Sequence, residues 1–208
     1  GGEPLLRKDI FHLAAYAAEK DFTVVLGTNG VLLREQQAKL MRQHGVVGAS
    51  ISLDSTEPAR HDAFRHLPGA WDGAVRATKA LRQEGLDFSL HMSVTDWNVA
   101  EIPSMVDLAN ELGAKVLNFF FLVRTGRGHN LTDITADQYE QILTALARAQ
   151  GVGSSAPGPE SVFTRQEDPW SMPIGTAGRL LIRAKCAPHF RRILWQLNPS
   201  SPLLKNYA

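Results

Sequence analysis

The sequence predicts an α/β fold in which parallel strands carry outer helices. Two observations lead there. Four short runs rich in apolar and β-branched residues have the character of buried strands: 22–27 (FTVVLG), 46–53 (VVGASISL), 86–94 (LDFSLHMSV) and 116–123 (VLNFFFLV). Between them lie stretches whose apolar residues recur at helical spacing. In such folds the ligand site sits at the C-terminal ends of the strands.

The chain opens on Gly1-Gly2-Glu3-Pro4. Two residues without Cβ let backbone approach a ligand closely, Glu3 adds a carboxylate and Pro4 stiffens the exit. An expression scar or a disordered end would show the same four residues. A helix follows with Ile10, Leu13, Ala14 and Ala17 on one face. The strand at 22–27 ends in Thr28-Asn29-Gly30, where Asn-Gly favours a tight turn. Thr28 and Asn29 offer a hydroxyl and an amide to a ligand, or serve the turn alone. The next helix spans 34–44, with Leu40 and Met41 inward and Gly45 as its stop. The strand at 46–53 closes on Ser52-Leu53-Asp54-Ser55. Ser52 and Asp54 are two apart and share a face for as long as the strand continues. Asp54 and Ser55 also suit the opening of a turn. Thr56-Glu57-Pro58 predicts a helix start with Thr56 as cap. His61 and His66 are five apart, off a common helical face, and are expected on the surface or in a loop.

The helix at 71–84 sets Ala74, Val75, Thr78 and Leu81 in register. Ser93, Thr95 and Asn98 lie at or beyond the end of the strand at 86–94, and His91 is expected to be structural. A helix at 101–113 leads to the strand at 116–123, which exits through Arg124-Thr125-Gly126-Arg127-Gly128. Two arginines among glycines suit a clamp for an anion, or a basic solvent loop. Thr135 and Gln138 form a capping box for a helix carrying Tyr139, Ile142, Leu143 and Leu146. The run GVGSSAPGP at 151–159 is a linker, so a core domain is expected over 1–150 and an extension over 151–208. In that extension 180–182 is a short apolar run and 187–197 a helix begun by Pro188.

The stretch from Gly1 to Leu33, headed by GGEP, together with SISLDS and the strand near Ser93, resembles the radical S-adenosylmethionine (SAM) superfamily. The similarity is to its molybdenum-cofactor, haem d1 and peptide-maturase branch and runs to about Gly128. It implies a partial (β/α) barrel. It also implies that Gly1, Gly2, Glu3 and Pro4 hold the amino group of SAM and that Thr28 and Asn29 adjoin it. Ser52 and Asp54 would take its ribose, and Ser93 or Asn98 its ribose or carboxylate. Arg124 and Arg127 would take a carboxylate of SAM or substrate. The family's [4Fe–4S] cluster is held by a CxxxCxxC motif upstream of GGEP. This chain has one cysteine and four strand-like runs, so the cluster ligands, the first β/α unit and the second strand are expected outside it, and the chain alone is expected to be an inactive internal piece. Cys186, beside Lys185, is either a ligand of an auxiliary cluster or an unligated thiol. The implied mechanism is reductive cleavage of SAM to a 5′-deoxyadenosyl radical. That radical takes hydrogen from a peptide, a tetrapyrrole or a cofactor precursor, with flavodoxin or ferredoxin as electron donor. A cluster-less binding module on the same fold is the alternative.

Composition bounds these readings. The 208 residues are 44% hydrophobic and 21% charged, a globular mixture, and no apolar run is long enough to cross a bilayer. One cysteine excludes an internal disulfide framework and fits a reducing, cytoplasmic compartment. Residues 169–208 hold six cations and no acid, which against a whole-chain charge of +1 leaves −5 on the rest. That segment attracts an acidic partner or is simply a solvated face. No aromatic-rich basic stripe points to nucleic acid. HExxH and GxSxG are absent and no strand-end lysine stands out, which disfavours a hydrolase or an aldolase. Exposed strand edges would favour a dimer.

Overall fold

A computed structural model describes residues 2–123, 133–152 and 180–207. The helices are α1 (Ile10–Ala18), α2 (Glu35–Gln43), α3 (Pro58–Arg65), α4 (Ala70–Gln83), α5 (Ile102–Leu112), α6 (Ala136–Ala149) and α7 (His189–Leu197). The strands are β1 (Val24–Thr28), β2 (Val46–Ser52), β3 (Asp87–Val94), β4 (Val116–Phe121) and β5 (Leu181–Lys185). They form one sheet in the order β1-β2-β3-β4-β5. β2 pairs in parallel with β1 and with β3. The α/β class expected from the alternating runs is what the chain adopts.

The chain divides into two compact units. The first holds residues up to Met92 together with 108–117. In it α2 and α4 pack on β2 and on each other. Leu26 and Thr28 of β1, Ala49 and Ile51 of β2, and Phe88, Leu90 and Met92 of β3 are buried. From the helices Ala38, Met41, Ala74, Ala77 and Leu81 join them. The alanines on α4 matter because they let backbone come close. Gly30 ends the β1 turn at φ +81°, and a Cβ there would lie 2.7 Å from Ala74 Cα. The Asp62 carboxylate accepts from the N–H groups of Gly69 (2.6 Å) and Trp71 (2.9 Å), and so caps α4.

The second unit holds 93–107 and 118–208. Its core is built from Phe121, Ile142, Leu146, Ile182, Phe190 and Leu194, all buried. The Thr135–Gln138 capping box is present at the start of α6. At the other end of α6, Gln150 Nε2 donates to Ile182 O (2.7 Å) and its Oε1 accepts from Ile182 N–H (3.3 Å), tying the helix to β5.

Four expectations are corrected. There are five strands among the described residues, not four. β5 escapes the pattern because it is five residues long and its half-buried face carries Arg183 and Lys185. Leu13 is 41% exposed, so the buried stripe of α1 narrows to Ala14. The residue before α3 is Glu57, which gives no side-chain cap; Ser55 Oγ accepts from Glu57 N–H (3.0 Å) in place of the expected Thr56 cap. His61 is not a surface residue: it is 1% exposed. His66 is exposed as expected and closes α3 in the left-handed region.

Candidate functional site

Glu3 organises the tip of β1. The 3-10 turn Pro4–Leu6 that follows it packs on β1. This brings the Glu3 carboxylate to the strand end twenty-five residues on. Thr28 Oγ1–H donates to Glu3 Oε1 (2.7 Å), and Asn29 N–H donates to Oε2 (2.8 Å). Leu5 N–H donates to Oε1 as well (3.3 Å). The turn behind is braced from within: Gly30 N–H donates to Thr28 Oγ1 (3.0 Å) and Val31 N–H to Asn29 Oδ1 (3.0 Å). Thr28 is 5% exposed, so its bond to Glu3 is sheltered from water. A carboxylate offers about four lone-pair directions, and three are occupied. An added Cβ at Gly2 would meet nothing within 4 Å, so the backbone beside Glu3 stays open.

The tip of β2 is different. Ser52 is half-buried, but the strand ends there and the alternation stops. Leu53, Asp54 and Ser55 are all fully buried. Asp54 Oδ2 accepts from Arg65 Nε (2.6 Å) and lies 2.5 Å from its Nη2. Asp54 N–H donates to His61 Nδ1 (3.1 Å). That nitrogen is therefore unprotonated, and the neutral ring carries its proton on Nε2. Burial pushes the His61 imidazole below its ordinary value, against the opposing pull of Asp54. Asp54, His61 and Arg65 thus clamp the loop from β2 to α3.

The sequence pattern of the radical SAM superfamily matches residues 1–109. The chain belongs to that superfamily. It is 33% identical over 196 residues to the AdoMet-dependent heme synthase of Methanosarcina barkeri, covering 94% of this chain and 49% of that protein. It is 36% identical over 148 residues to the Fe-coproporphyrin III synthase of the same organism, covering 70% of this chain and 37% of that one. The chain spans about half the length of the curated relatives it matches most fully. In fold it is similar to Streptococcus suis SuiB, solved with S-adenosylmethionine, at TM-score 0.61 and 15% identity over 96% of this chain and 40% of SuiB. SuiB has also been solved with its precursor peptide SuiA.

Radical SAM enzymes use SAM and a [4Fe–4S] cluster. The β1 tip fits the first of these. The spare acceptor capacity of Glu3 and the open backbone at Gly2 suit an ammonium group. The cluster needs several thiolates, which the single cysteine of this chain does not supply. Among the described residues no group of three or more His, Cys, Asp or Glu side chains could hold a metal ion.

In the second unit Ser93 is exposed at the end of β3. Asn98 is fully buried and braces the loop: Nδ2 donates to Ser93 O (2.8 Å), and Oδ1 accepts from Thr95 N–H (2.9 Å). Thr95 is the residue that sequence reasoning left without a role. It is 1% exposed, and among the described residues its hydroxyl has no hydrogen-bond partner. Gly1, Arg124 and Arg127 lie outside the described residues. Cys186 is exposed, with φ +60°.

Proposed function

We propose that this chain is the SAM-holding part of a radical SAM enzyme that acts on a tetrapyrrole. The observation that carries the SAM assignment is the Glu3 carboxylate fixed by Thr28 and Asn29, with acceptor capacity left over. What supports the tetrapyrrole is the similarity, across 94% of this chain, to a haem synthase. SAM bound beside a reduced cluster supplies a carbon radical that takes a hydrogen atom from the substrate. The residues of this chain bind and position. Glu3 and the open backbone at Gly2 receive the ammonium group, while Thr28 and Asn29 hold the carboxylate of Glu3 in place. Ser52 presents a half-buried hydroxyl to the ribose. Asp54 acts through the loop it clamps, since its carboxylate is engaged by Arg65. Ser93, Arg124 and Arg127 remain proposed SAM contacts, and Asn98 shapes the loop that carries Ser93.

The proposal extends to the longer protein. The barrel part takes in residues 1–150 and also β5, which lies in the same sheet, and the rest of 151–208 leads toward a domain in which Cys186 has a place as an auxiliary-cluster ligand. An acidic flavodoxin or ferredoxin supplies the electron, the compartment is the reducing cytoplasm, and the 208 residues alone are inactive. A peptide substrate is the second reading, favoured by 28% identity over 150 residues with a PqqA peptide cyclase. Anaerobic reconstitution of the full-length protein tests both. 5′-Deoxyadenosine released with iron coproporphyrin III and not with peptides supports the first reading, and the reverse supports the second. No 5′-deoxyadenosine under any condition leaves the cluster-less binding module.

A further inference from the structure

Alternation along β2 and β3 gives the sheet two unlike faces. One carries Ala49, Ile51, Phe88, Leu90 and Met92, each at most 3% exposed. The other carries Ser50, Ser52, Ser89 and His91, all half-buried. Parallel strands are ordinarily apolar on both faces. A run of hydroxyls and an imidazole on one of them is therefore out of pattern for a purely structural surface. The register sets Gly27, Ser50 and Ser89 side by side, and Ser52 beside His91. Ser89 Oγ–H donates to Ser50 Oγ (3.0 Å), and Ser89 Oγ lies 3.2 Å from His91 Nε2. With the Ser89 proton directed at Ser50, the Ser89 oxygen accepts from His91 in the tautomer that carries its proton on Nε2. The bonds then run from imidazole to hydroxyl to hydroxyl, and Ser50 O–H is the donor at their end. Next in the row is Gly27, where an added Cβ would meet nothing within 4 Å. The chain of donors thus ends beside open space.

We propose that Ser50, Ser89 and His91 form a subsite for a carboxylate of the substrate. The proposal rests on the tetrapyrrole reading, in which the acid side chains of a porphyrin such as coproporphyrin provide that carboxylate. A donor backed by a second hydroxyl and an imidazole suits an anion better than a neutral carbonyl, because a charged acceptor roughly doubles the strength of each bond. Half-burial reduces competition from water. The place is apt as well. Gly27 precedes Asn29 by two residues, about 7 Å along a strand. A side chain anchored in this row leaves the rest of its molecule near the strand tip that Glu3 organises.

The test is an absorbance titration of iron coproporphyrin III, and separately of its tetramethyl ester, into the full-length cluster-loaded protein. Wild type is compared with Ser50→Ala and Ser89→Ala. The expected result is about tenfold weaker binding of the acid by both variants, with ester binding close to wild type. Equal loss for acid and ester, or no loss for either, overturns the subsite and leaves the tetrapyrrole reading standing. Failure of wild type to bind either porphyrin overturns the tetrapyrrole reading and the subsite with it.

Discussion

Glu3 shows how much one side chain does for the fold while leaving acceptor capacity for the proposed ligand. Its bonds to Thr28 and Asn29 hold the entrance of the chain to the end of β1. Replacing Glu3 by Gln keeps the shape and removes the charge. A hydrogen bond to a charged group contributes about 1.5–3 kcal/mol, so SAM affinity should fall about tenfold to a hundredfold. Calorimetric titration of the full-length protein with SAM measures this, and an unchanged affinity would remove Glu3 from the site. His61 makes a second prediction at this scale. Its folded pKa lies below the ordinary 6.5 because the ring is buried. Below that pH the unfolded chain takes up a proton that the folded protein resists. The stabilisation is therefore complete above pH 6.5 and is lost as the pH falls toward the folded value. The urea midpoint should drop between pH 7.5 and 5.5, and His61→Gln should flatten that drop. Equal pH slopes for the two proteins would contradict the assignment. The place of Thr28 and Asn29 at the tip of β1 was legible because Asn-Gly ends an apolar run, whereas the bonds that bring Glu3 to them were not, since they join residues twenty-five and twenty-six apart. The burial of His61 was not, since it arises when the loop folds back to set residue 61 against the amide of residue 54.

At the scale of elements, strands and helices with a strong period were legible to within a residue or two. β2 was expected over 46–53 and spans Val46–Ser52; α4 was expected over 71–84 and spans Ala70–Gln83. Each has enough apolar positions for the period to dominate. β5 has Ile182 and Ala184 as its buried positions, too few to mark a strand among basic neighbours. The β1–α2 turn depends on a fit that no period encodes, the approach of Gly30 to α4. Gly30→Ala would place a Cβ 2.7 Å from Ala74 Cα, where backbone has no easy retreat, and would do so at φ +81°. The left-handed conformation alone costs about 1–2 kcal/mol, and the contact adds to it. A loss of about 2–4 kcal/mol in denaturant unfolding is expected, with SAM binding weakened in parallel because Asn29 moves with the turn. A fully stable Gly30→Ala variant would mean that α4 can shift away from β1 at little cost.

For the molecule as a whole, the apolar surface is unevenly placed. Among the described residues β1 is an edge of the sheet. Around it Tyr16 is 58% exposed, Phe22 69%, Val25 50% and Val47 53%. A scattered exposed apolar side chain needs no explanation, but several beside an unpaired strand edge favour pairing with another chain. In the proposed longer protein such an edge has a use, because the second strand, expected outside this chain together with the first β/α unit, would cover it. When the 208 residues are produced alone, a second copy is the most available substitute. Self-association that grows with concentration is therefore expected in light scattering. Val25→Lys should shift the population toward monomer, because a lysine on an edge strand opposes strand addition at little cost to the strand itself. The same substitution in the full-length protein should instead lower its melting temperature, since there it would bury a charge. A 208-residue chain that stays monomeric at every concentration, with Val25→Lys neutral in both forms, would show that β1 is a finished edge and that the site organised by Glu3 is complete on its outer side.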